Sequence, residues 1–184
     1  LIDMKATGVV RRVDDLGRLV IPREIRRTLH IREADPIEIF TGPDQEIILK
    51  KYSPVGEMSD TARQLSEVLS QTSGLTACIC DQDHILCAAG KYAKELQDQE
   101  ITPELHRLLL LRKSFRASNT DREYICPAAS VSEKHFSEEL LCPVLSGGDP
   151  TGAVLLLAPD SARLEASDIK LASAAALLLS RQLS

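Results

Sequence analysis

Asp14-Asp15-Leu16-Gly17-Arg18-Leu19-Val20-Ile21-Pro22-Arg23-Glu24-Ile25-Arg26-Arg27-Thr28-Leu29 is the stretch that decides how this chain is read. Turn chemistry from Asp14 to Gly17 is followed by three apolar residues that read as a short strand. Pro22 then suits the first position of a helix, where a missing N–H costs nothing. In that helix Ile25 and Leu29 lie four apart on one side. Arg23, Arg26 and Arg27, at i, i+3 and i+4, crowd a different face.

Outward from this stretch, Lys5 to Val13 alternates as a strand does, which sends Arg11 and Arg12 to opposite faces. Pro36 to Thr41 and Glu46 to Lys51 predict a hairpin around Gly42-Pro43-Asp44-Gln45. Between Lys5 and Arg32, eight Lys/Arg stand against three Asp/Glu, a local charge of +5 on a chain whose net charge is −5. A basic island on an acidic protein points to a polyanionic partner. Residues 1–53 sum to +1 and residues 54–184 to −6, so the second part should repel DNA while the first approaches it. Four short strands and a two-turn helix in about 50 residues bury too little surface to stand alone, and this unit should complete its core by dimerising.

From Asp14-Asp15-Leu16-Gly17-Arg18 through Ile21-Pro22 to Arg26-Arg27-Thr28-Leu29, and on through Ile37-Glu38-Ile39-Phe40 and Ile47-Ile48-Leu49-Lys50-Lys51-Tyr52, the chain resembles the DNA-binding domain of the AbrB family of bacterial transition-state regulators. It is most similar to the stage V sporulation protein T branch, in which that domain precedes a GAF-type sensor. The resemblance implies an α+β chain: an N-terminal swapped-hairpin β-barrel shared by two chains, then a GAF-like antiparallel sheet with helices. It implies double-stranded DNA as partner and a transcription regulator of the sporulation programme, able to repress or activate. It selects Arg11, Arg18, Arg26 and Arg27 as DNA contacts, with Lys5 as an auxiliary. Guanidinium grips phosphate or guanine bidentately, and its charge does not titrate away. In one respect the chain departs from the family: many relatives have Gly before the Asp-Pro of the third strand, and here that residue is Ala34. A position needing positive φ would be strained by alanine.

Ser53-Pro54-Val55-Gly56 breaks the pattern as a linker would, giving a division into residues 1–53 (reader), 54–72 (linker and helix) and 73–184 (GAF-like sensor or assembly domain). Glu57 to Gln71 predicts a helix with Met58, Ala62, Leu65 and Leu69 on one stripe, able to pair with a partner helix or to cover a sheet. Thr76 to Cys80 and Ile85 to Ala89 predict a hairpin, as do Leu140 to Leu145 and Gly152 to Ala158. Thr102 to Lys113 and Leu164 to Leu183 predict helices. The last is apolar on more than one side, through Ile169, Leu171, Ala172, Leu177, Leu178 and Leu179. That surplus points to a subunit interface with the Glu57–Gln71 helix and, with the N-terminal dimer, to a tetramer. A GAF-type module leaves room for a small-molecule effector, and no nucleotide-binding signature identifies one.

Five cysteines, an odd number, suit a reducing cytoplasm. No signal-peptide pattern is visible, and no apolar run approaches the roughly 20 residues of a membrane span. Cys78, Cys80, His84 and Cys87 are metal-ligand types at a spacing foreign to zinc fingers, and buried core cysteines are the commoner outcome. No metal, cofactor or catalytic residue is therefore assigned. Two rival functions remain: a cysteine-dependent GAF-type methionine sulfoxide reductase, which lacks a motif placing its thiols, and an AbrB-type antitoxin, which should carry a disordered tail rather than a folded domain.

Overall fold

The computed structural model describes residues 7–131 and 135–183, and the chain divides into two units, Leu1–Tyr52 and Ser53–Ser184. In the first unit, helix α1 (Arg23–Thr28) leads to strands β1 (Ile37–Thr41) and β2 (Ile47–Lys51). The strands pair antiparallel, Ile37 opposite Lys51 and Thr41 opposite Ile47, with a 3-10 turn at Pro43–Gln45 between them. The expected hairpin is present. The expected strands at Lys5–Val13 and Leu19–Ile21 are not: among the described residues neither joins a ladder. A strand exists only with a neighbour to bond, and within one chain β1 and β2 satisfy each other. Pro22 precedes the helix as its N-cap, with an extended ψ of 148°, instead of taking the first helical position.

Helix α1 ends in a Schellman motif: Ile31 N–H donates to the Arg26 carbonyl (2.8 Å) and His30 N–H to that of Arg27 (3.4 Å). His30, at φ 51°, occupies the left-handed position that glycine fills most easily. Ala34 is also left-handed, at φ 65°, so the position at which the resemblance implies Gly does adopt positive φ. It is held there by Asp35, whose carboxylate accepts from Arg32 N–H (2.7 Å) and pairs with Lys51 (3.0 Å).

The second unit packs α2 (Pro54–Glu57), α3 (Ser59–Ser73), β3 (Thr76–Cys80), β4 (Ile85–Ala89), α4 (Ala93–Leu96), α5 (Pro103–Leu110), β5 (Phe115–Ser118), β6 (Phe136–Ser146), β7 (Asp149–Pro159) and α6 (Ala166–Gln182). The sheet is antiparallel, in the order β4-β3-β7-β6-β5. Central β7 reads as an unbroken apolar run because both of its faces are buried. Val154, Leu156 and Ala158 face α3 and α6, while Leu155 and Leu157 face α5 and the loops beside it.

Two expectations are corrected here. Ser53–Gly56 is no linker: Ser53 caps α2 by accepting from Gly56 N–H and donates to Asp81 (2.8 Å), and Val55 is fully buried. The close approach falls on Gly152, where a Cβ would lie 2.2 Å from the Cys80 carbonyl oxygen and 3.0 Å from Val55. The stripe Met58, Ala62, Leu65 and Leu69 is spent on the chain's own sheet, with Ala62 and Leu69 buried in its core, so it offers no seam to a partner helix. Strand β5 and the single turn α4 were absent from the sequence pattern.

Candidate nucleic-acid interface

The arginines of the first unit stand in solvent, whereas Lys51 is largely covered by its pairing with Asp35. Arg11, Arg12, Arg18, Arg23, Arg26 and Arg27 are exposed, with Arg23, Arg26 and Arg27 on α1. Arg18 closes the turn that begins at Asp14, while Arg11 lies in the segment before it. Lys5 falls outside the described residues.

The Asp14 turn is the most constrained part of this surface. Gly17, at φ 75°, lets the chain reverse, and its N–H donates to the Asp14 carbonyl (3.0 Å). Asp14 N–H in turn donates to the Arg18 carbonyl (3.0 Å). The Asp14 carboxylate accepts from Leu16 N–H (3.0 Å), Arg18 N–H (2.7 Å) and Arg18 Nε (2.7 Å). These bonds, the Arg18 backbone N–H foremost, hold the carboxyl below the usual aspartate range. Asp14 counts as a neutralising charge when the sequence is read by composition. Only the spacing from Asp14 to Arg18 across an Asp-Leu-Gly turn could have hinted at this.

Beneath that polar surface lies no interior. Among the first unit's described residues only Pro22 is buried, and both clusters of buried hydrophobic side chains belong to the second unit. In the first, Val10 (84% exposed), Val13, Leu16, Leu19, Val20 (72%), Leu29, Ile39 and Ile47 (72%) face solvent. Apolar exposure on this scale marks a contact surface.

The second unit shows no comparable chemistry. Cys78 and Cys80 face one side of the sheet and Cys87 the other, so the four-residue constellation with His84 does not converge. Burial pushes the Cys80 thiol up to about 12, with Asp81 adding to it, and burial raises Cys78 and Cys87 too. Thiols so far from ionisation make poor ligands and poor nucleophiles. Among the described residues no three His, Cys, Asp or Glu side chains are grouped to hold a metal ion, and no helix is long and apolar enough to cross a membrane. An open cleft of about 500 Å³ runs along β6 and α6, beside Cys142, Ser173, Leu177 and Ser180.

Comparison with known proteins agrees with this division. Residues 57–184 match the family described as stage V sporulation protein T C-terminal, transcription factor. Residues 10–57 match the family described as antidote-toxin recognition MazE, bacterial antitoxin. The chain is 39% identical over 180 residues, 98% of its length and 99% of the relative's, to stage V sporulation protein T of Bacillus subtilis (strain 168). It is 54% identical over 69 residues to the transition state regulatory protein AbrB of the same organism, covering 34% of this chain and 71% of that protein. The GAF domain of an Acinetobacter phosphoenolpyruvate-protein phosphotransferase superposes with a TM-score of 0.56 at 11% identity, over 68% of this chain and 81% of that one, a likeness of fold alone.

The fold and the basic surface define a two-part regulator, an AbrB-type DNA-recognition domain followed by a GAF-like domain. The chain belongs to the stage V sporulation protein T family, and is thus a transcription factor of sporulation and not an enzyme.

Proposed function

We propose that the chain reads double-stranded DNA as a homodimer through Arg11, Arg18, Arg26 and Arg27, with Lys5 assisting, and that it represses or activates according to its place on a promoter. The observation that carries this reading is the pairing of exposed arginines with a unit that has no interior of its own. Two copies supply one another with a core, in the swapped-hairpin manner of the family, and the basic faces then stand about a two-fold axis that suits pseudo-symmetric DNA. Reading belongs to residues 1–53 and sensing or assembly to 73–184, with the helices of 54–72 packed on the sheet of that second part. The site of action is the bacterial cytoplasm.

The GAF-like unit joins dimers into a tetramer. Support comes from the exposed Leu177 (54%) and Leu178 (47%) on α6, the first of which lines the cleft along β6, and from the exposed Val68 on α3. The occupant of that face is the same face of a second copy. An effector of this unit acts by favouring one arrangement of the readers over another, so DNA must shift its affinity by the same factor. Light scattering of the full chain, with a mobility shift on promoter DNA, tests the reading. A monomer, or a protein without affinity for DNA, overturns it.

A further inference from the structure

The turn that carries Arg18 holds an acid on a surface meant for a polyanion. Simple electrostatics offers Asp14 no role there, since a carboxylate near phosphates weakens binding. Stability offers little more: the Arg18–Asp14 pair is solvent-exposed, and exposed pairs contribute almost nothing. The geometry is nevertheless specific. One carboxylate oxygen fixes the backbone of the turn through Leu16 and Arg18, and the other takes Arg18 Nε at 2.7 Å. A bond at Nε leaves the end-on edge of the guanidinium, Nη1 and Nη2, as the fork that matches guanine O6/N7 or a phosphate. Among the described residues Arg18 makes no other ion pair. A long side chain ordinarily loses much rotamer freedom when it binds, and one already tethered at both its backbone and its Nε loses less.

We propose that Asp14 is a positioning residue for sequence discrimination: it presents the terminal nitrogens of Arg18 to a base edge, and it does so against the unfavourable charge it brings. This rests on Arg18 being a DNA contact. A recognition surface that tolerates such an acid gives up some affinity for all DNA and gains selectivity for the right one.

The test uses the full-length protein. A random-sequence duplex pool is enriched on the wild type, and the most enriched duplex is compared with a shuffled duplex of the same composition. Asp14→Asn keeps an oxygen for the two backbone N–H groups and loses the anion at Nε. It should bind the enriched duplex roughly tenfold more weakly, with shuffled-duplex binding unchanged or tighter. Arg18→Ala should lose at least as much, and Asp14→Asn added to it should cost no further discrimination, because the two act as one unit. Asp14→Asn that binds the enriched duplex as well as wild type, beside a weakened Arg18→Ala, overturns the positioning role alone. An Arg18→Ala protein with wild-type discrimination overturns the DNA-contact reading beneath it. Arg18→Lys keeps Asp14 and the charge but lacks the fork, and guards against a loosened turn in Asp14→Asn. It should lose discrimination, and Arg18→Lys that discriminates as wild type does refutes the inference.

Discussion

Glu138 and Glu139 are consecutive on β6, enter opposite faces of the sheet, and are held in opposite charge states. Glu138 lies across from Ala158 on the α6 side, and Glu139 across from Leu157 on the other. Burial pushes Glu138 up, but Arg163 (2.9 Å), Arg116 (2.8 Å) and Leu164 N–H (3.2 Å) outweigh it and bring its pKa to about 2. Glu139 has only the Ile125 N–H (2.7 Å) against its burial, which raises it to about 8. One residue of displacement on a strand decides whether a buried carboxyl is an anion or an acid.

For Glu138 the folded pKa is depressed, so its stabilisation is present above the unfolded value of about 4.5 and lost as pH falls toward about 2. Glu138→Gln should destabilise the second unit by about 2 kcal/mol at pH 7, discounted because both arginines are partly solvated. Thermal melts should show that deficit vanishing between about pH 4.5 and 2. A deficit constant with pH would mean that packing, not charge, is lost.

Glu139 has the reverse sign. Its raised folded pKa leaves its contribution intact below about 4.5 and erodes it as pH rises through about 8. Glu139→Gln keeps an oxygen for Ile125 N–H and removes the titration. The variant should match wild type near pH 4 and exceed it by on the order of 3 kcal/mol at pH 9. Parallel denaturant curves at both pH values would contradict the assignment.

Ala34 sits at φ 65°, a conformation costing an L-residue about 1 kcal/mol relative to glycine. Ala34→Gly should therefore stabilise the first unit by up to about 1 kcal/mol without altering DNA affinity at saturating protein. A lower melting point for that unit would show that the loss of chain freedom outweighs the strain.

Arg26→Ala and Arg27→Ala remove contact charge from an exposed helix, so each should weaken promoter binding with the fold intact. A dimer neutralising about 6–10 phosphates should lose roughly 10³–10⁵ in affinity between 50 and 200 mM salt, and each variant should have a shallower slope. Unchanged slopes in a titration series would remove α1 from the interface.

Leu177→Lys with Leu178→Lys places two charges on the exposed face of α6, where a partner copy would bury them unpaired. Light scattering should then report dimers in place of tetramers. Lysines at Leu65 and Leu69 would not be a clean probe, because Leu69 belongs to the chain's own core.

Much of this was legible in the sequence, and the misses share a cause. Hairpins such as Thr76–Ala89 carry both of their partners within a few residues, so local pattern suffices. Leu19–Ile21 has strand-forming residues but no strand, because no segment of the same chain is hydrogen-bonded beside it among the described residues. Phe115–Ser118 is four residues at a sheet edge, too short for any period to show. Ser53-Pro54 reads as a break or as a cap and first helical residue, and only the pocket that receives Val55 decides between them. Of the interface, the arginines were visible as charge. The part assigned to Asp14 was hidden because an acid is counted as a subtraction until its hydrogen bonds are known.

If two copies complete one core as proposed, the first unit's want of an interior makes DNA reading depend on the chain's own abundance. A domain that must borrow its core has no fixed melting temperature, since dilution alone favours the unfolded chain. At low copy number the reading-competent population grows as the square of the chain concentration, while the second unit keeps its fold throughout. Such a regulator would gain activity more steeply than in proportion to its synthesis, a response written into packing.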